Sequence, residues 1–237
     1  MAWEWERFMT EQDKAHDEMW GKKENFGFGE KPALVLIDIY YGVLGFKREP
    51  LLEQIKTIPG GMGLEGWEAV DRTVELLAAA RKHSIPVIHV TKLDKNGIIG
   101  WGRKMGKRMS LPEGLKDRAS EIVEEVAPIE GEMIIHKAAP SAFQGTVLPF
   151  MLRKLGVDTI IACGESTSGC VRATVVDGTT YRYNMGVVAE CCFDRTQMSH
   201  HVNLFDMHQK YADVIHLPEA IAYFEKVGSN FKQSVSS

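Results

Sequence analysis

The stretch ALVLID, Ala33 to Asp38, runs five aliphatic residues directly into a carboxylate. It has no polar alternation, as expected of a strand covered on both faces rather than one open to water. Five further short runs have the same character: PVIHVT (Pro86 to Thr91), EMIIHK (Glu132 to Lys137), DTIIACG (Asp158 to Gly164), GVVAE (Gly186 to Glu190) and DVIH (Asp213 to His216). Helical patterns lie between them. Trp67, Val70, Val74, Leu77, Ala78 and Arg81 share one stripe, and Val147, Phe150, Met151 and Lys154 another. Strands alternating with helices specify an α/β fold: a doubly wound, mostly parallel sheet of roughly six strands, with right-handed crossovers and helices on both faces.

The 237 residues fit one large domain at the usual scale of about 150 residues per domain, since no linker interrupts them. The expected division is an N-terminal arm over 1–30, an α/β domain over 31–225 and a polar tail over 226–237. Trp3, Trp5 and Phe8 sit among charges in the arm, which reads as one or two short amphipathic helices that cover a neighbouring subunit in a homo-oligomer. A net charge of -4 offers no global field for nucleic acid or an anionic membrane. The first thirty residues carry acids throughout and no apolar run, unlike a secretory or transit segment, and Asp38 breaks the longest apolar stretch. A cytoplasmic protein is therefore expected. Cys163, Cys170, Cys191 and Cys192 have no CxxC spacing, which suits reduced thiols better than disulfides or zinc. Residues 92–111 hold six Lys or Arg and four Gly without helical period, a loop that is either a solvated basic segment or a lid attracting an anion.

In an open parallel sheet the ligand lies beyond the carboxyl ends of the strands, so polar residues there are the first suspects. Asp38 ends the first strand, where an acid after ALVLI is costly to bury without a partner. Lys137 ends the third. Cys170 follows the fourth within GESTSGC, whose small residues permit a tight turn, and the helix expected to open near Ser168 would favour its thiolate. Backbone N–H groups of the same turn could hold an oxyanion. Cys163 reads as a buried strand thiol, and Cys191 and Cys192 as packing residues at the end of the fifth strand.

LVLIDIYYG, HKAAPSAFQGT, CGESTSGCVRATVVDG and CFDR followed by NLFDMHQKYADV occur here in one order and spacing. On these pieces the chain resembles the isochorismatase-like cysteine hydrolases, over about residues 30 to 220, and within them the N-carbamoylsarcosine amidohydrolase branch, with the maleamate branch next. The resemblance implies Cys170 as nucleophile, Asp38 as general base and later acid, and Lys137 as the cation tuning the pair. It further implies a cis peptide between Glu165 and Ser166 and an oxyanion hole from the Ser166 and Cys170 amides. Glu165 departs from the small or aliphatic residue more usual there. Arg195 is implied to grip a substrate carboxylate, with Thr167 beside it in the substrate site. The expected activity is hydrolysis of N-carbamoylsarcosine, or else of maleamate or another ureido or biuret-type compound, by a tetramer without a cofactor. A silent member binding a small acid or a protein is the reading from another class.

Two further signals fail on context. Gly61, Gly63 and Gly66 spell GxGxxG, yet no strand immediately precedes them, so a dinucleotide is not expected. His200, His201 and His208 lack a ligand spacing, and Tyr40 stands where metal-binding relatives of this family carry a histidine, so no metal is expected.

Overall fold

The computed structural model describes residues 3–20, 24–92, 113–115 and 118–234, the side chains of 113 and 229–234 excepted. Its six strands are β1 (Pro32–Ile37), β2 (Val87–Lys92), β3 (Met133–Lys137), β4 (Thr159–Glu165), β5 (Asn184–Phe193) and β6 (Asp213–Ile215). All neighbours pair in parallel, in the order β3-β2-β1-β4-β5-β6. Every residue of β1 and β4 is buried, which is why both read as unbroken apolar runs. The chain winds one way from β1 to β3 and the other way from β4 to β6. The reversal between β1 and β4 opens a crevice at their carboxyl ends, and the expected site residues stand there. The basic loop reading falls outside the described residues from 93 to 112.

The helices are α1 (Glu11–Trp20), α2 (Tyr41–Leu44), α3 (Leu51–Gln54), α4 (Gly63–Lys82), α5 (Leu148–Lys154), α6 (Arg172–Thr180), α7 (Gln197–Lys210) and α8 (Leu217–Ser234). α4 packs on α8 and α6 on α7, and right-handed crossovers in opposite directions put α4 and α6 on opposite faces of the sheet. Gly63 opens α4 after α3 rather than after a strand, as the rejected GxGxxG required.

Three expectations need correction. On α4 the buried stripe includes Thr73, Leu76 and Ala80 while the expected Val74 and Ala78 are exposed, because α8 and the sheet cover a face rotated from the one the pattern gave. On α5 the buried pair is Leu148 and Leu152, four apart, and the expected stripe residues Val147 and Phe150 face outward. The polar tail from 226 is a continuation of α8 through Ser234, whose inner face buries Ala220, Phe224 and Val227 at helical spacing.

The arm also behaves differently. A 3-10 turn over Glu4–Phe8 buries Trp5, and Trp3 stacks between Trp5 (4.3 Å) and His216 (4.1 Å). These two tryptophans are covered by their own chain, so they are not the bare surface expected of a monomer. Phe8, Met19 and Trp20 remain exposed. Among the described residues no helix is long and apolar enough to cross a membrane.

Candidate active site

β1 delivers Asp38 with an unusual backbone. Its φ is +56°, a left-handed conformation that non-glycine residues seldom adopt, and its N–H donates to the Val90 carbonyl at 2.8 Å. Beside it Gly164 (φ +115°) leaves so little room that a Cβ would lie 2.1 Å from the Ile37 carbonyl oxygen. That close approach of β1 and β4 sets the floor of the crevice. Lys137 reaches across from the end of β3, its Nζ 2.7 Å from Asp38 Oδ2 and 3.2 Å from Cys170 Sγ. Asp38, Lys137 and Cys170, 132 residues apart at the extremes of 38 and 170, thus meet around one ammonium.

Cys170 is carried by a wide turn. The Glu165–Ser166 peptide is cis, as expected. Residues Thr167–Val171 then form a single π-helical turn ahead of α6, so the helix opens at Thr167, next to the expected Ser168. Several contacts brace this turn. The Ser168 N–H donates to Asp194 Oδ2 at 2.7 Å, and the Thr174 hydroxyl donates to the Cys170 carbonyl at 2.8 Å while accepting from the Ala142 N–H. Thr167, expected to touch substrate, is fully buried, and its hydroxyl donates to the Phe193 carbonyl. One hydroxyl proton so used leaves His200 Nδ1, 2.8 Å away, as the donor to Thr167. Burial holds His200 down at about 4, so it is neutral near pH 7. Thr167 and His200 thus brace the turn from beneath.

The electrostatics correct one further expectation. Burial, then the Asp38 charge, pushes the Cys170 thiol up to about 12, with Lys137 opposing, so the resting group is a neutral thiol and not the thiolate expected from the helix start. Desolvation outweighs any help from a turn this short. Burial also lifts the Asp38 carboxyl above its ordinary range against the pull of Lys137, which makes it a stronger base than a surface aspartate. Lys137 is drawn down by burial and raised more by Asp38 and Cys170, so it stays an ammonium. Asp38 Oδ1 is buried and makes no hydrogen bond of normal geometry, and Asp38 acts on the Cys170 thiol both as a charge and as an acceptor. A basic carboxylate, a thiol and a fixed cation can together transfer a proton, release a sulfur nucleophile and stabilise the charge it carries.

Arg195 follows β5 and is half exposed. Its Nη1 lies 3.6 Å from Glu165 Oε2. Sequence reasoning placed Glu165 only in the cis peptide and missed this pairing. The signal was available, since IIACGE ends a buried strand on an acid just as ALVLID does. Burial raises Glu165 to about 7 against Arg195. Tyr40, which follows β1, is held protonated by burial and by Asp38 and Glu165 nearby. Cys163, Cys191 and Cys192 are buried and burial raises all three thiols, consistent with packing roles. Among the described residues no three His, Cys, Asp or Glu side chains are grouped to hold a metal ion.

The comparisons with known proteins agree with this architecture. The model of the isochorismatase domain matches residues 32–219. The chain is 35% identical to a maleamate amidohydrolase of Pseudomonas putida over 222 residues, covering 90% of this chain and 96% of that protein. It is 30% identical to an N-carbamoylsarcosine amidase of Arthrobacter over 212 residues, covering 86% and 75%. The crystal structure of an isochorismatase family protein from Desulfovibrio vulgaris superimposes with a TM-score of 0.67 at 26% identity, over 80% of this chain and 96% of that one. With its matched domain spanning the sheet and both strand ends that meet at Lys137, the chain belongs to the isochorismatase family of hydrolases.

Proposed function

We propose that the protein is a cysteine amidohydrolase that cleaves the terminal C–N bond of a small carboxylated amide or ureido compound. The observation that carries this reading is the meeting of Lys137 with both Asp38 (2.7 Å) and Cys170 (3.2 Å). Asp38 takes the thiol proton as Cys170 Sγ attacks the carbonyl carbon, and Lys137 offsets the charge on sulfur. The Ser166 and Cys170 N–H groups hold the resulting oxyanion. Collapse breaks the C–N bond, Asp38 gives its proton to the leaving nitrogen, and ammonia departs. Asp38 then takes a proton from water, whose oxygen attacks the thioester or thiocarbamate and returns the thiol. Arg195 holds the substrate carboxylate at the crevice mouth.

N-carbamoylsarcosine and maleamate are the leading substrates. The expected order, N-carbamoylsarcosine before maleamate, is set against a likeness to the maleamate amidohydrolase that is higher in identity and longer in both chains, which supports assaying maleamate alongside it. Ammonia release across maleamate, N-carbamoylsarcosine, a ureidoacrylate and biuret tests the proposal. Turnover of at least one carboxylated member in preference to biuret is expected. Release from none of them would favour a silent binding protein on the same fold.

A further inference from the structure

Glu165 has no task in that mechanism, yet it sits inside the site. It closes β4, is 5% exposed, and its Oε2 is buried without a hydrogen bond while lying 3.6 Å from Arg195 Nη1. An ionised carboxylate buried in this way costs several kcal/mol unless it is paired. Here the partner is the guanidinium assigned to the substrate. Resting on that assignment, we propose that Glu165 is a specificity-determining residue, a built-in counter-anion that the substrate carboxylate must displace from Arg195, so that binding an anionic substrate takes up a proton.

The charge balance carries the argument. Glu165 is faced by Arg195 and Asp194 after β5, by Asp38 and Tyr40 after β1, by Lys137 of β3 and by Cys170 of the π turn; Lys92 of β2 acts on Asp38. In the crevice itself Asp38 is matched by Lys137 and Glu165 by Arg195. A substrate carboxylate arriving at Arg195 leaves these four groups one negative charge in excess, beside the buried Glu165. Protonating Glu165 restores neutrality, and the neutral acid can then donate a hydrogen bond to the anion beside it. Burial has already raised Glu165 to about 7, so the proton costs little near neutral pH.

The sign follows. Below about 7 Glu165 is already protonated in the empty site, and anion binding is independent of pH. Above it, each bound anion must bring a proton, so KM for the acid rises by up to about tenfold per pH unit until the pKa of the complex is reached. A neutral ester of the same substrate needs no proton.

Steady-state kinetics from about pH 6 to about pH 9, with a carboxylated substrate and its methyl ester, test this in wild type and Glu165→Gln. The expected result is a rising KM for the acid alone in wild type, and in Glu165→Gln a KM for the acid that is flat with pH and lower than wild type above about pH 7. An acid KM that keeps its slope in Glu165→Gln, or a wild-type ester KM with the same slope, overturns the proposal. Should Glu165→Gln be inactive, calorimetry on Cys170→Ala decides: acid binding near pH 8, measured in buffers of different ionisation enthalpy, takes up about one proton if the proposal holds. No uptake overturns it. Arg195→Ala separates the two levels. If that variant keeps the acid-to-ester ratio, the carboxylate assignment falls and this inference with it; if it loses the ratio while the slope survives in Glu165→Gln, only the inference falls.

Discussion

Arg195 stands 3.6 Å from Glu165, too far for a hydrogen bond and near enough to be steered by it. A guanidinium so placed can turn to a substrate carboxylate through two parallel charge-assisted bonds, a geometry lysine does not offer. Each such bond contributes roughly 1.5 to 3 kcal/mol, so losing one or both in Arg195→Ala should lower kcat/KM for the acid by about tenfold to ten-thousandfold. Arg195→Lys should fall well short of wild type, and the acid-to-ester ratio in Arg195→Ala should approach that of the uncharged reaction. An unchanged ratio would remove Arg195 from the anion site. At this scale Asp38, Lys137 and Cys170 were legible because each is a polar residue where an apolar strand or a small-residue turn ends. The state of the thiol was not. A helix start argues for thiolate, and only burial beside Asp38, visible in three dimensions, reverses the sign. The bracing of Thr167 was not legible for a related reason: its neighbours Phe193 and His200 lie far along the chain.

Among elements, the far end of the crossover from α4 to the β2–β3 edge is fixed by one carboxylate. Glu132 is nearly buried, accepts from Arg81 Nε at 2.8 Å and from His89 Nε2 at 2.8 Å, and also receives the Ile129 N–H. Burial alone would raise its carboxyl, but these donors hold it down at about 2. A carboxyl depressed in the fold adds stability that is complete above its unfolded value near 4.5 and disappears as pH falls through about 2. Glu132→Gln should therefore lose up to about 3 kcal/mol in urea unfolding at pH 7, and the deficit should shrink at pH 3. Its kcat/KM should match wild type, since Glu132 is remote from Cys170 in the fold's logic: it precedes β3, whereas the site lies at the strand's other end. A deficit that does not change with pH would contradict the ion-pair account. The strands were readable because burial on both faces writes a continuous apolar run. α5 was not, since four apolar residues in a seven-residue helix leave its inner face ambiguous until Leu148 and Leu152 are seen to be its buried pair.

For the molecule as a whole, function follows from topology. The sheet order reverses between β1 and β4, and that single reversal brings an acid from residue 38, a cation from residue 137 and a thiol from residue 170 to one crevice. Alternation of strands and helices made the doubly wound sheet legible. The arm's fate was not legible, because the partner that covers Trp3 is His216, near the other end of the chain. The central claim is that Cys170 forms the covalent bond. Ammonia release by Cys170→Ala, measured on the best amide substrate alongside wild type, tests it most directly. The account predicts a fall in kcat/KM of about ten-thousandfold or more with the fold retained; release within about tenfold of wild type would contradict it.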